Sequence, residues 1–301
     1  MTDAGFAALA AARWIHFASV MLIFGGSLFA FYALPRQTAA PELADARGLL
    51  RLAAPIAFVS GIAWAGASLV NITGEADSLL DRQALSAFLF ETGFGRAWVV
   101  RLAGLLVLLI AALSLRADLR ERTFGAVLIT IVAALLLVSQ AWIGHPAAAT
   151  GAECNLIIAG YALHVLGAGA WLGGLVPLSW MLREREHARG DEVEFALQRF
   201  SAVGMLAILS ILAGGLVNAW ARWNSFDVVL SSAWGKILIV KAVGFVALLA
   251  LAFANRFVLM PRLAETGALR GKLARNVAAE QALGLAVLAA AAVLGILPPP
   301  A

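Results

Sequence analysis

Residues 14–26, WIHFASVMLIFGG, return in altered form as residues 162–174, ALHVLGAGAWLGG. Each copy sets a histidine, His16 or His164, nine and ten residues ahead of a Gly-Gly pair, Gly25-Gly26 or Gly173-Gly174. Landmarks further along recur in the same order. Arg51 leads to Asn71 as Arg199 leads to Asn218, and Gly95 is followed by Arg101 as Gly235 is followed by Lys241. The offset is 148 at the histidines (164 − 16), 147 at the asparagines (218 − 71) and 140 at the glycines (235 − 95), so one loop has changed length. The chain reads as two copies of one unit, residues 1–150 and 151–301, built into a single membrane domain.

Composition fixes the solvent. Of the 301 residues, 62% are hydrophobic and 13% charged, against roughly 25% charged in a soluble domain. So apolar a surface belongs in lipid, where only helices satisfy their own backbone along a single segment. Runs of about 20 apolar residues are long enough to cross. The sequence predicts an all-α polytopic protein with eight transmembrane helices, near 9–34, 49–71, 94–115, 123–143, 154–180, 199–222, 233–257 and 277–297. The first ends at Pro35 and the fifth soon after Pro177, because proline lacks the N–H that continues a helix. The first apolar run carries His16 and no small-residue cleavage site follows it, so no cleavable signal peptide is expected.

Charge gives the orientation. The net charge of +4 is dispersed between apolar runs, which speaks for membrane topology and against nucleic-acid binding. Fifteen of the 22 basic residues fall in the loops after the first, third, fifth and seventh helices, and none falls between the fourth and fifth. The excess of positive charge on cytoplasmic loops places both termini outside. With four spans each, the two halves then run parallel. In the outer loop 75–90, Leu79, Leu80, Ala84, Ala87 and Phe88 predict a short surface helix with one apolar face.

Few polar side chains interrupt the spans. His16 and His164 sit at matched depths, and His145, in Gly144-His145-Pro146, stands at the outer end of the fourth helix. Buried imidazoles hold neighbouring helices together or bind metal; neutral imidazole suits copper, zinc and iron. Met21 reads either as core packing or as a soft ligand, and Cys154, the lone cysteine, either as an inert thiol or as a ligand. With one cysteine there is neither an internal disulfide nor a CxxC metal pair. Arg101 and Lys241 lie inside spans that hold no carboxylate, as snorkelling cations or as electrostatic elements of a pathway. Asn71 and Asn218 close helices at the outer face, where they cap or line an entrance. Glu280, the carboxylate clearly within a span, is placed near the inner end of the last helix with an arginine as partner.

Leu163-His164 through Trp171-Leu172-Gly173-Gly174, then Arg199-Phe200-Ser201, Ser232-Ala233-Trp234-Gly235-Lys236 with Lys241, and Ala254-Asn255-Arg256 resemble the CopD/PcoD family of bacterial copper-resistance inner-membrane proteins. The Gly144-His145-Pro146 element is similar too. The resemblance implies a multi-pass protein of the plasma membrane that takes copper from the periplasmic side, often beside a periplasmic copper-binding partner of the CopC type. It makes His16, His145 and His164 the ligand candidates, and copper the cargo. A second reading is a redox protein binding haem b, with His16 and His164 as axial ligands and Arg101 or Lys241 meeting the propionates. A third is a scaffold in which the histidines only pack helices. No Walker A motif is present, so ATP hydrolysis by this chain is not expected to drive transport, and no enzymatic activity is expected.

Overall fold

A computed structural model describes residues 2–34, 42–115, 124–143, 151–183, 190–221, 226–263 and 267–298. His145 and His187 lie outside these residues. The described residues form helices α1 (Asp3–Tyr32), α2 (Glu42–Thr73), a short α3 (Arg82–Ser86), α4 (Gly93–Ser114), α5 (Phe124–Val138), α6 (Gly151–Arg183), α7 (Gly190–Trp220), a short α8 (Phe226–Ser231), α9 (Ala233–Phe253) and α10 (Gly267–Leu294). A 3₁₀ turn extends α5 to Ile143, and a π-helical segment extends α9 from Ala254 to Leu259. Eight of these helices are long and apolar enough to span a bilayer. The protein is an all-α, multi-pass membrane protein.

Most helices outrun the apolar stretch that announces them. α1 begins at Asp3, with the Thr2 hydroxyl accepting from the Gly5 N–H, and α10 begins ten residues before the apolar run suggests. Hydropathy marks the slab of lipid, whereas helical hydrogen bonding continues through polar turns beyond it. α6 runs through Pro177 to Arg183, three residues past the expected end at 180. Arg270 donates to the Met181 and Leu182 carbonyls and so satisfies the last turn of α6. Membrane helices tolerate an internal proline when neighbours supply such bonds.

In segment 75–90 the backbone breaks into a 3₁₀ turn, the short α3 and a π turn. Phe88 is buried beside Trp98, while Leu80 is almost wholly exposed. The apolar stripe is thus divided between core and surroundings.

α1 and α6 form the centre and cross at their glycines. A Cβ on Gly25 would overlap the backbone at Gly169 and Gly173, and a Cβ on Gly173 would overlap the Met21 carbonyl. Glycine permits this approach, the usual basis of tight packing between helices in lipid. Around α1, the helices α2, α4 and α5 close a ring, each packed on the next. Around α6, α7 and α10 pack directly and α9 packs on α10, but α7 and α9 stand apart.

Candidate functional site

Each half builds a histidine–cation pair by the same local means. In α4, the Thr92 hydroxyl accepts from the Gly95 N–H; in α9, the Ser232 hydroxyl accepts from the Gly235 N–H. The preceding short segment folds its carbonyl, that of Phe88 or Val229, onto the glycine so closely that a Cβ would collide with it. Nine residues past the cap, Arg101 and Lys241 project inward. His16 and His164 are each thirteen residues from the first residue of their helix, about 20 Å along the axis.

The rings are fixed through Nδ1. His16 Nδ1 lies 3.0 Å from the Ala57 carbonyl and His164 Nδ1 lies 2.8 Å from that of Ile211. A carbonyl only accepts, so both Nδ1 atoms carry the proton and both Nε2 atoms present a lone pair. One turn beyond each acceptor a glycine makes room for the ring: a Cβ would stand 3.3 Å from His16 at Gly61 and 3.2 Å from His164 at Gly215.

These contacts reveal a slip that the sequence landmarks hide. Ala57 and Gly61 match Ile211 and Gly215 at an offset of 154 (211 − 57), not the 147 of the asparagine landmarks. The difference of seven residues is close to two helical turns, a slide of about 10 Å that keeps the same face inward. Asn71 and Asn218 are therefore not structural counterparts. Asn71 is exposed at the end of α2, whereas Asn218 lines the cavity described below.

The two Nε2 atoms meet cations in different surroundings. Arg101 donates to His16 Nε2 at 3.0 Å, to the Leu136 carbonyl at 2.7 Å and to the Ser139 hydroxyl. Its guanidinium also lies 5.5 Å from the Trp64 ring and 5.2 Å from the Trp98 ring. Lone pairs and aromatic faces thus hold this buried charge where a carboxylate would otherwise be needed. The cluster is sealed: His16 is 0% and Arg101 1% exposed.

In the second half Lys241 Nζ lies 3.4 Å from His164 Nε2, a long and weak bond, and both residues are half-buried. They line a cavity of about 360 Å³ that occupies the space between α7 and α9 and reaches α1. Met21, Gln140, Tyr161 and Asn218 also line it, with the Tyr161 hydroxyl donating to Gln140. His16 is not among its lining residues. Two axial ligands for haem would have to face one space, and His16 and His164 do not.

Met21 is 6% exposed, so it combines core packing with a place on the cavity wall. Cys154 is half-buried in the first turn of α6, in no disulfide, and away from the cavity lining. Among the described residues no three His, Cys, Asp or Glu side chains cluster as metal ligands do.

Among the described residues Glu280 pairs with no arginine. It is the fourteenth of the 28 residues of α10 and 2% exposed, because that helix begins earlier than the apolar run indicates. Its carboxylate accepts from the Asn255 amide and from Trp171. Trp171 is buried in the core and forms part of the cavity wall.

A family model described as copper resistance protein D-like, N-terminal domain, matches residues 1–155, and one described as copper resistance protein D matches residues 194–294. The chain belongs to the copper resistance protein D family. It is 27% identical over 262 residues to inner membrane protein YebZ of Escherichia coli (strain K12), covering 85% of each chain. It is 27% identical over 293 residues to copper resistance protein D of Pseudomonas syringae pv. tomato, covering 95% of this chain and 93% of the relative. To copper transport protein CutJ of Bacillus subtilis (strain 168) it is 32% identical over 166 residues, 55% of this chain and 29% of that longer protein. No solved structure matches the chain.

The meeting of each histidine with the cation of its own half escapes a reading of the sequence. The available signal is charge accounting. Arg101 and Lys241 have no carboxylate in their spans, so each needs a neutral acceptor, and an imidazole Nε2 is such an acceptor.

Proposed function

We propose that this protein carries copper across the bacterial inner membrane from the outer side inward, acting as a carrier and not as an enzyme. Both termini face outside, and the two halves are parallel copies of one four-helix unit. The observation that carries this reading is the setting of His164. Its Nδ1–H is anchored to a backbone carbonyl, the arrangement that orients a metal-binding imidazole, and its Nε2 opens on a cavity. The ammonium of Lys241 occupies the place a metal ion would take. Lys241 carries its ammonium on a flexible four-carbon stem at a long 3.4 Å from Nε2 and can swing aside, whereas the planar guanidinium of Arg101 is fixed by three acceptors. The second half thus works the cargo while the first half is a locked copy that supports it.

Copper reaching His164 Nε2 finds Met21, Tyr161, Gln140 and Asn218 on the same walls. So sparse a donor set favours passage over storage. Delivery by a periplasmic copper-binding protein of the CopC type fits a site that lacks a tight ligand cage. His145 and Cys154 belong to the outer approach in this reading.

The test is copper uptake into proteoliposomes holding the purified protein. His164→Ala is expected to abolish uptake, and His16→Ala to weaken the fold while leaving the uptake of folded protein in place. Undiminished uptake by the His164→Ala variant would falsify the assignment.

A further inference from the structure

Below the cavity lies a polar line that the copper site does not use. Trp171, on the cavity wall, bonds to Glu280. Asn255 donates to the Glu280 carboxylate, and Asn276 donates to the side-chain oxygen Oδ1 of Asn255 at 2.9 Å. The next residue, Arg256, bonds to the Ser201 hydroxyl, and these two line a second cavity of about 800 Å³. Arg270 lines this second cavity as well, and it also caps the inner end of α6. Glu280 therefore sits between a cavity that holds His164 and a cavity at the opposite end of α6.

Three features set this carboxylate apart from a packing residue. It lies in the middle of a spanning helix, where an ionised group is costly and by default functional. Its partners, Asn255 and Trp171, are neutral. The helices packed around it carry Arg13, His16 and Tyr32 on α1, Tyr161 and His164 on α6, Lys241 on α9, Arg256 on the π segment, and Arg270, Lys272 and Arg275 on α10; none of these is bonded to Glu280 among the described residues. Finally, the partner residue Asn255 lies in the π-helical turn Ala254–Leu259, an irregularity that recurs at functional sites.

We propose that Glu280 is the proton-exchanging group of the transport path, so that inward movement of a copper ion is coupled to outward movement of a proton. This rests on the transport reading above. With the path empty, the carboxyl holds its proton and remains neutral in the apolar interior. When a copper cation descends past Trp171, the carboxyl O–H bond breaks and the cation is held against the carboxylate. The proton leaves outward through the vacated cavity. As the cation moves on to the inner cavity, the carboxylate takes a proton from water there. The site is neutral at the start and at the end, and no electron is transferred.

The experiment uses full-length protein in proteoliposomes with an internal pH-sensitive dye and Cu(I) as the probe. For one-for-one exchange, an interior more acidic by one pH unit supports about tenfold copper accumulation, and copper entry makes the lumen alkaline. In Glu280→Gln, which keeps the size of the side chain and one acceptor oxygen but has no acid proton to exchange, both the pH signal and the dependence on the gradient are expected to vanish. Glu280→Asp restores them in part. Wild-type copper flux with no proton counterflow, or coupling that survives Glu280→Gln, overturns the proposal and leaves the transport reading standing. If wild-type protein moves no copper, the transport reading falls and infrared spectroscopy decides on Glu280. A protonated-carboxyl band that titrates and is missing in Glu280→Gln keeps it as a proton site. A band indifferent to pH, or none, rejects it.

Discussion

The two glycines of the Gly25-Gly26 pair are expected to respond in opposite ways to the same added methyl group. A Cβ at Gly25 would stand 2.6 Å from the Gly173 Cα and 2.7 Å from the Gly174 nitrogen, where ordinary contact begins at 3.4 Å. The obstacles are backbone atoms, so no rotamer change relieves them. The Gly169 carbonyl oxygen is closer still, so α1 and α6 must separate by more than about 0.8 Å (3.4 − 2.6). A gap of that size forfeits a quarter to a half of each dispersion contact along the crossing. Overpacking of this kind costs about 1–3 kcal/mol. For Gly25→Ala this corresponds to a fall in Tm of several degrees, at about 2–4 °C per kcal/mol for a large domain. At Gly26 a Cβ meets nothing within 4 Å, and alanine is the better helix former by about 1 kcal/mol. Gly26→Ala should leave Tm unchanged or raise it slightly. Thermal unfolding of both variants in one detergent measures the contrast. Equal shifts, or a larger fall for Gly26→Ala, would refute the α1–α6 crossing, and with it the placement of His16 and His164 about that axis.

Lys241→Leu removes the ammonium that competes for His164 Nε2 and adds no donor atom of its own. Swung aside to about 6–7 Å, that charge would still repel a monovalent ion by about 2.5 kcal/mol at an effective dielectric constant near 20, so copper affinity should rise up to about 70-fold. Competitive titration against a Cu(I) chelator reads this, and unchanged or weaker binding contradicts the lysine's blocking role. His16→Ala leaves Arg101 short of an acceptor and opens space beside Trp64. It should cost about 2–4 kcal/mol in stability with copper affinity intact, seen by pairing a melting curve with the same titration. Gly95→Ala forces a methyl into the Phe88 carbonyl, while Gly93→Ala meets open space. The first should lower Tm by several degrees and the second hardly at all. Thr92→Val deletes the cap on α4 and should cost about 1 kcal/mol in denaturant unfolding.

Much of the architecture can be read from the chain alone, because apolar run length and hydropathy are quantities of a single strand. Eight spans, an all-α membrane fold and the histidines at matched depth follow without any knowledge of packing. Helix ends are less legible: Asp3 and Gly267 begin helices outside the apolar runs, and α6 runs on to Arg183, because backbone bonding continues where hydropathy stops. The site required the tertiary structure. Whether a side chain meets another depends on helix rotation and axial slide, and a slide of seven residues, near two full turns, keeps the same face inward and so leaves the periodic pattern unchanged. For that reason only packing could pair His16 with Arg101 and His164 with Lys241, or set Asn218 in a cavity that Asn71 does not reach. Packing likewise gave Glu280 the neutral partners Asn255 and Trp171, and left α7 apart from α9 while α2 closed on α4.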